Sequence, residues 1–437
     1  MRILRPAALV ACLLSMAACA PSLDSAPSLR QPFDHGLLER GAQLAAIGDC
    51  YGCHTARDGA PFAGGVAMHS PFGTIYSSNI TPETQTGIGA WSERAFARAL
   101  REGVRRDGAH LYPAFPYDRF SLTSDDDVHA LYAYLMTRTP VHATPPSNEL
   151  AFPFNMRWGL ALWKAMYLRT PTPAARNDAS AARGSYLVEG LGHCGSCHSP
   201  RNALFAEERD RAYQGGDLDG WHAYAIERHT KAPIPWDADA LAFYLRNGWH
   251  PGHGVARGSM GLVTEQLRDA PEADVRAMAA YVVNLMGAPT PQRSAQGREL
   301  GAAPLASARN GPGRGGEIYR TACLECHDGT RPMPFGGLPL TLSLGLHGES
   351  PRNLINVILH GLGPGEGQTS PVMPGYAGAL DEDQVVDLVT WLRANLTDET
   401  AWPDFRKLVR ESAAMDASQL MFPPGGAGTD PLAAKAP

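Results

Sequence analysis

The sequence predicts a mainly α chain built as three tandem domains with long loops. Three observations say so. At 437 residues the chain is too long for one small core, and at about 150 residues per domain it divides into roughly three. The pattern C-x-x-C-H occurs three times, at Cys50 to His54, Cys194 to His198 and Cys323 to His327. Each occurrence is accompanied by helix-spaced apolar segments in the same order. The 46 glycines and 36 prolines provide for long loops between those helices.

The N-terminus reads as an export signal over residues 1–20. Met1-Arg2-Ile3-Leu4-Arg5 supplies two positive charges, Ala7 to Ala18 is apolar, and small residues surround Cys19. The apolar run is too short to span a bilayer. Met16-Ala17-Ala18-Cys19 reads as a lipobox that makes Cys19 the lipidated first residue, and the polar, Pro-containing stretch from Ala20 to Gln31 favours this. Ala18-Cys19-Ala20 also fits cleavage after Ala20. No later segment is long and apolar enough to span, so attachment to a membrane is expected through lipid or a partner. A net charge of −6 argues against nucleic acid as a partner, and Asp125 to Asp127 read as a helix start.

The eight cysteines sort without remainder. Cys12 and Cys19 fall in the signal, and Cys50/Cys53, Cys194/Cys197 and Cys323/Cys326 form three pairs, each followed at once by His54, His198 or His327. C-x-x-C-H is the attachment signature of c-type haem: two thiols add to the vinyl groups, and the adjacent imidazole becomes the proximal iron ligand. A thioredoxin-like redox pair and half a zinc site are the alternatives for one such motif. Three copies that use every cysteine of the body exclude accident, and reduced dithiols suit an exported protein poorly. The fold expected is therefore three tandem cytochrome c-type domains carrying three haems c with their iron.

In each domain the first helix precedes the motif, at Leu37 to Ile47, Gly184 to Leu191 and Glu317 to Thr321. A last helix carries an aromatic residue among apolar ones: Val128 to Leu135 with Tyr132 and Tyr134, Val275 to Val282 with Tyr281, and Val385 to Leu392 with Trp391. That helix is expected to pack on the first. Between them lies an apolar helix ending in glycine: Phe96/Leu100/Gly103, Leu241/Leu245/Gly248 and Leu354/Ile358/Gly361. Twelve residues beyond each glycine stand Phe115, Met260 and Met373. A methionine sulfur opposite a histidine raises the reduction potential of an electron-transfer haem, so Met260 and Met373 are read as the distal ligands of haems two and three. Pro374 follows Met373. Phe115 has no donor atom, so haem one either takes Met68, His69 or His110 or stays open.

The domains are expected at 33–140, 176–287 and 309–400. A Pro-rich stretch from Thr139 to Glu149 leads into the linker over 141–175, which holds a short helix with two tryptophans, Phe154 to Lys164. This helix reads as a strap buried between the first two domains, with a dehydrogenase-facing or membrane-facing helix as the other reading. Residues 412–437 read as a disordered tail.

These residues resemble the three-haem cytochrome c subunits of bacterial periplasmic dehydrogenases, over about residues 33 to 410. The matching runs are Pro71-Phe72-Gly73-Thr74-Ile75-Tyr76 through Asn79-Ile80-Thr81-Pro82, and His110-Leu111-Tyr112-Pro113-Ala114-Phe115-Pro116-Tyr117. Tyr186-Leu187-Val188-Glu189-Gly190 and His253-Gly254-Val255-Ala256 continue them. Members serve quinoprotein alcohol dehydrogenases, flavin-dependent gluconate and sorbitol dehydrogenases, and molybdenum hydroxylases of the isoquinoline, nicotinate and aldehyde type. The alcohol-dehydrogenase subunits usually place Met where this chain has Phe115; the form with Phe is similar to the molybdenum branch. Trp221-His222-Ala223-Tyr224 departs from relatives, which tend to have Ala-Pro after the Trp.

The resemblance implies an electron-transfer subunit in the periplasm, held to the membrane by lipid at Cys19 or by its partner. The catalytic partner it implies is a molybdenum hydroxylase with an iron–sulfur subunit, with a quinoprotein or flavoprotein as alternatives, and ubiquinone or a terminal oxidase as acceptor. The substrate would be an alcohol, aldehyde or N-heterocycle. No nucleophile, paired carboxylates or phosphate loop marks a separate catalytic site. A haem enzyme acting at an open haem one and a free-standing electron carrier are the competing functions.

Overall fold

The computed structural model describes residues 33–168, 179–302, 311–327, 331, 333, 336–363 and 371–415. The segment expected as a signal, with Cys12 and Cys19, and residues 416–437 lie outside the described residues.

Helix α1, His35–Ile47, starts on Asp34, whose carboxylate accepts from the Gly36 and Leu37 N–H groups and satisfies donors that a helix start leaves orphaned. After a left-handed Asp49 the chain re-enters a helix as α2, Cys50–His54. A hairpin follows, β1 Ala67–Ser70 with β2 Gly73–Tyr76. Then come α3 Glu93–Glu102, α4 Tyr117–Phe120 and α5 Asp125–Met136. Strand β3, Glu149–Leu150, adds to the hairpin so that the sheet order is β1-β2-β3, antiparallel throughout. Helix α6, Gly159–Tyr167, closes this part.

The element order then recurs. Helix α7, Ala179–Tyr186, runs into a π turn at Leu187–Leu191, where Gly190 leaves helical geometry, so the segment expected as one helix is broken there. Helix α8 Gly195–His198, the ribbon β4 Gly216–Leu218 with β5 Trp221–Ala223, and α9 Ala238–Asn247 come next. The pair β6 Trp249–His250 and β7 Gly254–Val255, then α10 Ser259–Leu267 and α11 Glu272–Met286, complete the repeat. After α12, Pro291–Ala302, the third repeat holds α13 Arg314–Ala322, α14 Leu324–His327, α15 Leu344–His347, α16 Arg352–His360 and α17 Glu382–Leu396. Helix α18, Arg406–Ala413, follows.

One packing relation is repeated in all three. A β-carbon on Gly41 would stand 2.1 Å from the Ala130 carbonyl oxygen, one on Gly184 2.2 Å from that of Ala277, and one on Gly315 2.2 Å from that of Asp387. Each contacted carbonyl lies one turn before Tyr134, Tyr281 or Trp391, so the bare face of the first helix meets the aromatic helix at backbone contact. The helices α3 and α9 end at glycines with φ of 61° and 74°, Gly103 and Gly248, a conformation that costs a residue with a β-carbon about 1 kcal/mol or more.

The described residues form two apolar cores. One runs continuously through the first and second repeats and includes Leu44, Leu131, Tyr132, Leu187, Leu191 and Met278. Arg119 crosses the same seam: its Nη1 donates to Glu189 at 2.9 Å and its Nη2 to Glu207. The second core belongs to the third repeat, around Tyr319, Ile355, Leu388 and Trp391. Phe405 and Val409 of α18 join it, and His360 Nε2 donates to the Ser412 carbonyl at 2.9 Å. The expected disordered tail is thus corrected at its start. Ser412 and Ala413 complete a helix whose Phe405 and Val409, four apart on one face, are buried in that core.

The strap also differs from expectation. It becomes helical only from Gly159, and it is not buried between the repeats: Trp163 turns inward, donating to the Leu204 carbonyl at 2.9 Å, while Trp158 stays 71% exposed.

Candidate haem-attachment sites

Each C-x-x-C-H forms a single helical turn. The His198 N–H reaches the Cys194 carbonyl at 3.0 Å and the His327 N–H that of Cys323 at 3.1 Å, while Cys50–His54 is itself the helix α2. One turn places both thiols on one side, with the imidazole beside them.

All three imidazoles are tied in the same way. His54 Nδ1–H donates to the Ser78 carbonyl at 2.7 Å, His198 Nδ1–H to that of Tyr224 at 2.7 Å, and His327 Nδ1–H to that of Leu338 at 2.9 Å. Burial lowers the pKa of each ring, so the neutral tautomer with its proton on Nδ1 is held and the Nε2 lone pair is left for a metal. The acceptors follow their histidines by 24, 26 and 11 residues. That irregular spacing is why sequence reasoning missed Ser78, Tyr224 and Leu338.

The six cysteines are unpaired thiols. Burial pushes Cys50 and Cys194 up to about 12 and Cys197 and Cys323 up to about 11. A redox dithiol or a zinc ligand needs the opposite, a stabilised thiolate. Among the described residues no group of three or more His, Cys, Asp or Glu could hold a metal ion by itself.

An apolar cavity of about 440 Å³ joins the second and third motifs. Cys194, Cys197, His198 and Met260 line one part, and Cys323, Cys326, His327 and Met373 another. Met260 stands on the first turn of α10. Met373 is fixed by a two-way backbone pairing with Leu362, N–H to carbonyl at 2.8 and 2.9 Å. Paired thiols, a backbone-tied imidazole and a thioether around an apolar hollow fit a haem, whose porphyrin needs apolar walls and whose iron takes one ligand on each face.

The first motif faces no methionine from the shared register. Phe115 packs its ring 5.2 Å from Phe120. His110 Nδ1 lies 3.1 Å from Lys164 Nζ, and the ammonium donates to it. Met68 and His69 are neighbours on β1, paired with Ile75 and Thr74, so they point to opposite sheet faces and at most one faces the site.

Helical repeats around C-x-x-C-H turns with backbone-tied imidazoles define a c-type cytochrome. The family described as cytochrome C oxidase, cbb3-type, subunit III matches residues 310–392. One chain of the nicotinate dehydrogenase of Pseudomonas putida is 44% identical over 395 residues, 89% of this chain and 32% of that protein. The cytochrome c subunit of the quinone alcohol dehydrogenase of Gluconacetobacter polyoxogenes is 36% identical over 406 residues, 87% of this chain and 86% of that subunit. The gluconate 2-dehydrogenase cytochrome c subunit of Pantoea cypripedii is 36% identical over 379 residues, 82% and 85% of the two chains. The chain thus spans about a third of the nicotinate dehydrogenase relative and most of the other two. It belongs to the family of cytochrome c subunits of bacterial dehydrogenases, and its work is electron transfer through haem c.

Proposed function

We propose that this chain carries three covalent haems c, in three tandem cytochrome c-type domains, and serves a periplasmic dehydrogenase. The observation that carries the reading is the threefold C-x-x-C-H turn whose imidazole Nδ1 is committed to a backbone carbonyl. Cys50 and Cys53, Cys194 and Cys197, and Cys323 and Cys326 would hold the porphyrins, His54, His198 and His327 would bind the irons, and Met260 and Met373 would complete the second and third sites.

When bound, haem supplies a one-electron ferric/ferrous couple. The chain's own part is to tune and position it. Each Nδ1–H bond orients its imidazole and raises the basicity of Nε2. Thioethers and apolar walls favour the reduced state at the second and third sites. Because those two sites open into one cavity, the path between them is short.

The first site is different. Lys164 engages the His110 Nδ1 lone pair, which leaves the proton on Nε2 and no donor for iron. Met68 and His69 are neighbours on β1 and point to opposite faces of the hairpin, so at most one of them could serve haem one. With Phe115 at the register position of Met260 and Met373, haem one would lack a thioether there and would have a lower potential.

The partner favoured is a molybdenum hydroxylase with an iron–sulfur subunit, on the higher identity to a nicotinate dehydrogenase chain and on Phe115; quinoprotein and flavoprotein partners are the alternatives. Electrons from an alcohol, aldehyde or N-heterocycle would pass to ubiquinone or a terminal oxidase, with the chain held at the membrane by lipid at Cys19 or by its partner. Among the described residues no helix is long and apolar enough to cross a membrane. Purification from native membranes tests the reading. A molybdenum and iron–sulfur subunit is expected to accompany the chain, and substrate should bleach its ferric spectrum; a quinoprotein or flavoprotein in its place would reverse the assignment.

A further inference from the structure

The strap is an amphipathic segment mounted with its polar side inward. Lys164, 8% exposed, donates from Nζ to the Glu102 and Gly103 carbonyls at 2.6 and 2.7 Å, capping the C-terminus of α3, where partial negative charge collects. Arg157, the only other charge between residues 151 and 168, donates to the His110 carbonyl at 2.8 Å and lies over the Tyr112 ring. What faces outward is apolar: Phe152 is 76% exposed, Trp158 71%, Leu162 63% and Met166 44%. Trp158, Leu162 and Met166 are spaced four apart and share one face of α6. Phe154, its ring tilted against that of Phe72 at 4.2 Å between centroids, and Leu204 of the second repeat are also exposed.

We propose that this face docks on a phospholipid bilayer, lying in the interface with Trp158, Leu162, Met166 and Phe152 among the upper acyl chains. Three features select lipid over protein. The segment 151–168 has no carboxylate, and both its cations are engaged by carbonyls of the first repeat, so it offers no charged rim for a partner to read. Its outer side chains are the aromatic and aliphatic types that settle at membrane interfaces. Cys19 precedes Phe33 by 14 residues, a stretch that reaches at most about 50 Å, so a lipid at Cys19 would keep the first repeat, which carries the strap, close to a leaflet.

This deepens the reading that the chain works at a membrane, and the test separates the strap from the lipid. The haem-loaded mature chain, exported behind a signal without a lipobox so that no acyl group contributes, is floated with vesicles of phosphatidylethanolamine and phosphatidylglycerol. Wild type is expected to float and to lose Trp fluorescence with brominated lipid, a loss that Trp158→Phe reduces. Leu162→Glu and Trp158→Glu, both at exposed positions, are each expected to lower partitioning at least about tenfold while leaving the haem spectrum and melting temperature unchanged. No flotation of wild type, or equal flotation of wild type and both Glu variants, overturns the proposal. So does a wild type that ignores vesicles but loses its dehydrogenase on Leu162→Glu, which would make the face a protein interface.

Discussion

The side chain of Asn353 closes a ring on the backbone of His222: the His222 N–H donates to Oδ1 at 2.8 Å, and Nδ2 donates to the His222 carbonyl at 2.7 Å. Asn353 begins α16 of the third repeat and His222 lies in β5 of the second, next to the cavity that both share. Asn356 adds a bond to the Gly220 carbonyl at 2.9 Å. Replacing Asn353 by Ala strands a half-buried N–H and carbonyl, so a loss of about 1–3 kcal/mol is expected. Electron exchange between the second and third haems should slow as the seam loosens. Thermal unfolding and flash-induced kinetics check this; Asn353→Asp, which keeps the acceptor and loses the donor, should fall between.

Haem content is expected to be three per chain. Pyridine haemochrome absorbance against protein concentration reads the ratio, and acid–acetone should leave the colour with the protein. A ratio near two would remove one C-x-x-C-H site from the account.

Met260→Ala and Met373→Ala should each lower the potential of one haem, on the order of 0.1 V within the roughly 0.8 V that axial ligands command. A potentiometric titration of each variant should show two unchanged couples and one displaced. If both variants keep all three couples, the twelve-residue register has misplaced the ligands.

Phe115→Met supplies a thioether where the register calls for one. It should raise the potential of haem one and add a methionine–iron charge-transfer band to the ferric spectrum. Of Met68→Ala and His69→Ala at most one should change haem one, because the two side chains point to opposite faces of β1; an open distal site predicts that neither does.

A β-carbon on Gly337 would stand 2.5 Å from His327 Nδ1, inside the space of the ring and its bond to Leu338. Gly337→Ala should therefore push the imidazole off its acceptor at a cost of about 1–3 kcal/mol. Loss confined to the third haem is expected, seen as a two-haem fraction by mass spectrometry of the intact chain.

What could be read from residues in order was whatever is local or covalent. C-x-x-C-H needs one helical turn, so Cys50, Cys194 and Cys323 announce themselves. The distance from a helix-ending glycine to Met260 or Met373 is a loop length, and loop length is linear in sequence. The pairing of first and last helices was expected from the aromatic residues Tyr134, Tyr281 and Trp391, whereas the glycines that let the backbones touch, Gly41, Gly184 and Gly315, show their part only in the structure.

Tertiary structure decided the rest, because it depends on which surfaces meet. The first two repeats share one core since Leu187 and Leu191 pack with Leu44 and Leu131, and nothing in their own spacing distinguishes that neighbour from their own domain. Periodicity shows which strap residues share a face but not which face turns inward. Here the carbonyls of Glu102 and Gly103 at the end of α3 draw the Lys164 ammonium out of solvent, and that capture leaves Trp158, Leu162 and Met166 outside.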